Sequence, residues 1–162
     1  MLVNFEDLPD HSRIWVYQSD RPFTPEEVEG IRTLADTFVT QWTAHGASLK
    51  AGYEMPYDRF FVLGLDQSEA SASGCSIDAS VHFIQDLEKK FNLDLLDKMN
   101  VTFKQGEYIS YKPLLDFKKM AKARAISGKT IVFNNLVNTK AEYLEHWEVP
   151  ASESWHNRFI KG

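Results

Sequence analysis

RFFVLGLD, residues 59–66, is a nearly continuous apolar run of the length of one strand. Such a short run with a start rich in β-forming residues is typical of a strand buried inside a sheet. Upstream, RIWVYQ at residues 13–18 carries four consecutive strand-forming side chains. The two segments predict a buried central strand and a second strand that precedes it in the chain.

Two amphipathic helices are predicted around this strand. The first covers about residues 25–43, because Thr24 and Glu27 form a capping box around Pro25 and apolar residues then recur every three or four positions. His45-Gly46 is expected to end it, with Gly46 as a left-handed cap. The second helix is predicted over about 77–91, after the small-residue loop 67–76.

The C-terminal part predicts further strands and helices. Residues 101–104 and 108–112 flank Gln105-Gly106-Glu107 and indicate a hairpin. A basic helix follows over 114–126, then a strand at 130–133 and a short helix from Thr139 to His146. The hairpin excludes a wholly parallel sheet. We therefore expect an α+β fold with α/β-like alternation: a single domain over residues 1–162, with a mixed sheet of about five strands and helices packed on it.

Composition limits the class of protein. The chain has 162 residues, 43% of them apolar, and a single cysteine. No apolar run has the length of a membrane helix or a signal-peptide core, and one cysteine cannot close an intrachain disulfide, so we expect a soluble, cytoplasmic protein without a membrane partner. Acidic residues dominate 1–97 and basic residues dominate 98–140. That asymmetry indicates either a surface for an anionic partner or a solvated helix face.

Ser127-Gly128-Lys129-Thr130 ends like a phosphate-binding P-loop. The full motif needs a glycine at position 123, which is alanine here, and it joins a strand to a helix, whereas a helix is predicted before this tetrapeptide and a strand after it. We expect a helix cap at Gly128 and no P-loop ATPase. Dinucleotide-binding glycines and zinc-ligand spacings are also missing, so no cofactor and no metal is expected.

The candidate site centres on Cys75 and His45. Gly74-Cys75-Ser76 lies where the second helix is predicted to begin, and unpaired amide groups and the positive helix end favour a thiolate there. Gly74 would admit a ligand closely, and Ser76 and Gly46 are further candidate ligand-binding residues. His45 is the first candidate base, and His82 is the second, with Asp78 one helical turn before it. Asp66 could orient a base or bind a ligand. In the alternative interpretation, these residues have only structural roles: Cys75 is a buried apolar residue and Ser76 is an ordinary N-cap.

Three functions remain open. The first is a small ligand-binding or regulatory domain for an anionic small molecule, with its pocket between His45-Gly46 and Gly74-Cys75-Ser76. The second is a protein that binds an anionic partner, nucleic acid being the less favoured case, through the basic helix 114–126. The third is a thiol enzyme in which Cys75 is the nucleophile and His45 or His82 the base.

Four stretches carry a resemblance to a known family: WTAHGASLKAGYE at 42–54, SGCSIDASVHFIQDLE at 73–88, TIVFNNLVNTKAEYLEHWEVP at 130–150 and SWHNRF at 154–159. They resemble a family of small, uncharacterised bacterial proteins that are often labelled "ABC transporter ATPase". The resemblance implies no activity, substrate or catalytic residue. The label itself requires a P-loop, which this sequence does not contain.

Overall fold

The computed structural model describes residues 1–160, which divide by their internal contacts into two compact units. Unit 1 comprises residues 1–96 with 138–140, and unit 2 comprises residues 97–137 with the chain from 141 onward. Each unit has its own cluster of buried apolar side chains. The α+β class is confirmed. The assignment of residues 1–162 to one domain stays a prediction.

Unit 1 holds a three-stranded antiparallel sheet. Its elements, in chain order, are β1 (Arg13–Gln18), α1 (Pro25–Gln41), β2 (Thr43–Ala44), β3 (Ala47–Ser48), β4 (Lys50–Glu54), β5 (Phe60–Asp66) and α2 (Gly74–Phe91), with short 3-10 helices at Phe5–Asp7 and Pro56–Asp58. The sheet order is β1-β5-β4, and all residues of β5 are buried. The prediction of a buried central strand is therefore confirmed.

Helix α1 begins as predicted but ends earlier. Thr24 and Glu27 form the expected capping box, while the chain turns extended at Trp42. His45 and Gly46 have φ angles of 51° and 79° and connect β2 to β3. Two successive positive φ values are typical of a two-residue hairpin turn. The prediction that Gly46 caps the helix is therefore wrong, because the helix ends before two residues that pair as a short strand.

Helix α2 begins at Gly74, three residues before the predicted start. Its N-cap is Ser73, whose side chain accepts a hydrogen bond from the Ser76 amide at 3.1 Å, and the Ser76 hydroxyl accepts one from the Ser73 amide at 2.7 Å. Ser76 is therefore the partner in a capping box and not the N-cap itself. The consequence for the site is that Cys75 lies inside the first helical turn.

Unit 2 is built on a four-stranded antiparallel sheet. Its elements are β6 (Asn100–Gln105), β7 (Tyr108–Pro113), α3 (Leu114–Lys122), β8 (Ile131–Phe133), α4 (Lys140–His146, whose first residue groups with unit 1) and β9 (Glu148–Pro150), with 3-10 helices at Ala151–Glu153 and Trp155–Phe159. The order is β7-β6-β8-β9. The predicted hairpin is present, and Gly106 in its turn has a φ of 62°.

The arrangement of the sheets and the end of the basic helix both differ from the predictions. Instead of one mixed sheet of about five strands, the named strands form three separate antiparallel sheets, and the parallel contact is an isolated bridge between Leu2 and Ala51. The basic helix ends at Lys122, not at 126, because Arg124 has a left-handed φ of 63°.

Among residues 1–160, no helix combines the length and apolarity that crossing a bilayer requires.

Candidate functional site

A surface cleft of about 530 Å³ in unit 1 brings the two predicted segments together. We call it the Cys75 cleft, defined by its lining residues Phe38, Gln41, Trp42, Thr43, His45, Ser73, Cys75, Ser76 and Ala79. They come from the end of α1, the β2–β3 turn and the first turns of α2. Ligand-binding pockets commonly have volumes of about 300–1,000 Å³. The cleft is therefore large enough for a small organic molecule.

Cys75 is the second residue of α2 and is exposed to solvent. The alternative interpretation, in which the Cys75 thiol is buried in the core, is therefore wrong. The amide groups of a first helical turn have no acceptor within the helix and form its positive end. Ser73 and Ser76 satisfy one of these amide donors through their capping box. The thiol thus lies at the positive end of a well-capped helix.

His45 reaches the same cleft from the β2–β3 turn. Its backbone has a φ of 51°, a conformation that His and Asn tolerate better than most residues. Gly46, at a φ of 79°, completes the turn. The short hairpin therefore holds an imidazole at the rim of the cleft that Cys75 also lines.

Trp42 connects these two segments. Its indole Nε1 donates a hydrogen bond of 2.8 Å to the Ser76 backbone oxygen in the first turn of α2. The ring is 3% exposed and packs against Phe38 at 5.3 Å and Trp15 at 6.1 Å between ring centroids. Because Trp42 directly follows α1, it fixes the end of that helix to the helix turn that carries Cys75.

The other residues predicted around Cys75 are dispersed. Gly46 and Gly74 neighbour lining residues but do not line the cleft themselves, and a side chain at Gly74 would meet open space. Ser76 lines it, although its hydroxyl also donates to the Ser73 carbonyl at 2.9 Å. His82 lines a separate cavity further along α2, and Asp78 lines neither. The Asp78–His82 pairing is therefore not part of this cleft.

Asp66 lies outside the Cys75 cleft, at the end of β5. Its carboxylate accepts hydrogen bonds from the Ser68 hydroxyl at 2.6 Å and the Ser68 amide at 2.9 Å, and these bonds lower the pKa of Asp66. His11 Nε2 lies 3.0 Å from the same hydroxyl. Asp66 thus stabilises the turn after β5 and does not line the Cys75 cleft.

The P-loop-like tetrapeptide of unit 2 is a tight turn between α3 and β8. The Thr130 amide donates to the Ser127 carbonyl at 3.1 Å, and the Ser127 amide donates to the Thr130 hydroxyl at 3.0 Å. The helix precedes the turn and the strand follows it, as the sequence indicates. Gly128 is not the cap of α3, because that helix ends several residues earlier.

Several lining residues were not predicted as part of a site. Phe38 belongs to the apolar stripe of α1, and Trp42, directly after the helix, continues the same spacing, which by itself indicates core packing. Gln41, Thr43, Ser73 and Ala79 carry no motif. The Trp42–Ser76 bond joins residues 34 positions apart, and no local sequence signal predicts it.

Two observations concern metals and relatives. Within residues 1–160, no group of three or more His, Cys, Asp or Glu side chains is arranged to hold a metal ion. Compared with known proteins, the chain matches no family model, no curated protein and no solved structure. The resemblance to small bacterial proteins stays a prediction.

Proposed function

We propose that unit 1 is a ligand-binding domain for an anionic small molecule and that the Cys75 cleft is its binding site. The observation that carries this proposal is one open cleft lined by both His45 and Cys75, which are thirty residues apart in the chain. We assign the protein to the cytoplasm as part of the same proposal, since a single free thiol suits a reducing compartment.

The chemistry of the lining supports an anion with an apolar body. Half-buried Phe38 supplies aromatic surface, and the lining residues named above include no carboxylate. Cys75 and Ser76 belong to the first turn of α2, whose positive end favours an anion nearby, and the His45 imidazole can donate a hydrogen bond. An aromatic carboxylate such as benzoate matches this arrangement in size and charge.

Protection of Cys75 from alkylation tests the proposal. We expect saturating benzoate to slow the reaction of Cys75 with iodoacetamide severalfold, because the ligand occupies the space beside the thiol. Benzyl alcohol, which has the same ring without the charge, should protect less. Rates are measured by intact-protein mass spectrometry, and Cys75→Ser confirms that the signal comes from this residue.

His45→Asn provides a fold-preserving variant for the same experiment. Asparagine tolerates the left-handed backbone of the turn but removes the imidazole. We expect benzoate to bind this variant more weakly while thermal stability changes little. Equal protection by benzoate and benzyl alcohol in the unmodified protein would contradict an anion site.

A thiol enzyme is the second candidate, favoured by the exposure of Cys75 together with an imidazole on the same cleft. If His45 accepts the thiol proton, native Cys75 should react with iodoacetamide near neutral pH faster than the denatured chain. His45→Asn should remove this advantage, and His82→Asn should not, because His82 lines a different cavity. Native labelling no faster than denatured labelling would exclude this candidate.

A further inference from the structure

We infer that the ligand of the Cys75 cleft is a linear molecule with a carboxylate at one end, an apolar body and a protonated amine at the other end. It lies along the surface between α1 and α2. This inference rests on the proposed function and adds the length and the charge pattern of the ligand.

A second cavity, of about 460 Å³, adjoins the Cys75 cleft. We call it the helix groove, defined by its lining residues Leu34, Thr37, Phe38, Ala79, His82, Phe83, Asp86 and Leu87. Phe38 and Ala79 line both cavities. Because the two cavities share these walls, a ligand in one can extend into the other over the small Ala79 side chain.

The groove follows one face of each helix. On α2, Cys75, Ala79, His82 and Asp86 are spaced by three or four residues, which places them in one row along the helix. At 1.5 Å per residue, this row is about 16 Å long. Leu34, Phe38 and Gln41 form the opposite row on α1. A molecule that touches both ends must therefore be elongated.

The middle of this path is apolar. Phe38 and Phe83 stack with 4.6 Å between ring centroids and 8° between ring planes, and Leu34 and Leu87 line the same cavity. Leu87 and Phe83 are buried, so they form the floor and not the rim. An alkyl chain or another apolar body gains free energy from covering such a surface, because both apolar surfaces are then removed from water.

The two ends differ in charge. The Cys75 end has the positive terminus of α2 and His45, with no carboxylate among its lining residues. The far end has the exposed carboxylate of Asp86, which forms no hydrogen bond or ion pair within residues 1–160. A carboxylate on the ligand fits the first end and an ammonium group fits the second. Opposite charges at the two ends also fix the direction of binding.

Calorimetric titration with ω-amino acids of increasing chain length tests the inference on the full chain. Aminobutyrate is too short to reach both ends, whereas aminoundecanoate spans the row. We expect aminoundecanoate to bind at least roughly tenfold more tightly than aminobutyrate. It should also bind roughly threefold more tightly than undecanoate, which has the same chain without the amine.

Three variants locate the ligand. Ala79→Leu places a larger side chain where the two cavities meet. It should weaken the binding of aminoundecanoate severalfold, and by a larger factor than the binding of benzoate, because only the longer ligand crosses from one cavity into the other. Lys89→Leu adds the same side chain to α2 outside both cavities and should leave both ligands unchanged. Asp86→Asn should lower the binding affinity of aminoundecanoate to that of undecanoate, because the amine of the ligand then has no carboxylate to pair with.

The outcomes separate this inference from the proposed function. If benzoate protects Cys75 but affinity does not depend on chain length, the ligand is confined to the Cys75 cleft and the inference is wrong. If long chains bind equally well to the unmodified protein, Ala79→Leu and Asp86→Asn, they bind elsewhere and the inference is also wrong. If benzoate fails to protect Cys75, the proposed function itself fails.

Discussion

His156 is a buried residue of unit 2 whose ionisation is coupled to folding. Its side chain is completely buried, Nδ1 lies 2.7 Å from the Ser154 hydroxyl, and Nε2 has no hydrogen-bond partner within residues 1–160. The ring stacks on Trp155 at 3.8 Å and contacts Phe117 at 5.4 Å between centroids. This burial lowers the pKa of His156 to about 4 from its ordinary value of 6.5. The folded protein therefore favours neutral imidazole.

A pH-dependent loss of stability follows. A depressed pKa in the folded state gives its full stabilisation above pH 6.5, and the stabilisation falls as pH decreases from 6.5 toward 4. We expect His156 to account for a decrease of about 3 kcal/mol in the free energy of unfolding over that interval. Urea denaturation at several pH values measures it.

His156→Phe keeps an aromatic ring and removes the titration. Its stability should change less between pH 7 and pH 4 than that of the unmodified protein, whatever its absolute value. His146→Gln, at an exposed position, should retain the full pH dependence. Identical pH dependence in the unmodified protein and His156→Phe would show that His156 is not the group responsible.

Among the secondary-structure elements, α1 owes its beginning to interactions within a few residues. The Thr24 amide donates to Glu27 Oε1 at 2.8 Å, and Arg21 donates two hydrogen bonds to the same carboxylate, each 2.8 Å long. The Arg21 hydrogen bonds are the main reason that the pKa of Glu27 falls to about 2. One carboxylate thus closes the helix start and anchors the preceding turn.

Glu27→Ala should destabilise the protein by about 1–2 kcal/mol, because it removes half of the capping box and leaves Arg21 without its carboxylate. Glu26→Ala, in the same helical turn but exposed, should cost much less. Thermal and urea denaturation at neutral pH compare the two. Equal losses would mean that the general attraction of an acid to the helix start, and not the capping box, stabilises α1.

The same locality explains which elements the sequence predicts. The capping box of α1 and the β6–β7 hairpin depend on residues close in the chain, and both are recognisable in it. Strand β4 is not, because its position depends on distant residues. A side chain at Gly52 would come within 2.5 Å of the Val3 carbonyl, so this strand needs glycine to pack beneath the N-terminal segment. Glycine in the middle of a strand also weakens the local strand signal.

From the sequence, the proximity of Cys75 and His45 could be predicted only as a hypothesis. A cysteine at a helix start and a histidine beside a glycine are visible in the sequence, and both line one cleft. Asp66 was a further candidate, and Asp78 was predicted to pair with His82, but neither carboxylate lines the cleft. The Trp42–Ser76 hydrogen bond that connects the two segments depends on tertiary packing. Proximity of this kind follows from the folded chain and not from residue type.

In the whole molecule, we expect one region of unit 1 to respond to ligand. The cleft draws on α1, the β2–β3 turn and α2, so a bound anion must contact residues from all three. Binding should therefore perturb residues that are distant in sequence but adjacent in the fold of unit 1.

Amide chemical-shift mapping with benzoate tests whether the Cys75 cleft binds an anion. We expect saturable shifts concentrated on Trp42 to Gly46 and on Ser73 to Ala79, including the Trp42 indole signal, with benzyl alcohol producing smaller changes. Shifts that are absent from these two segments, or that spread over the surface without saturation, would contradict the claim that the Cys75 cleft is a ligand-binding site.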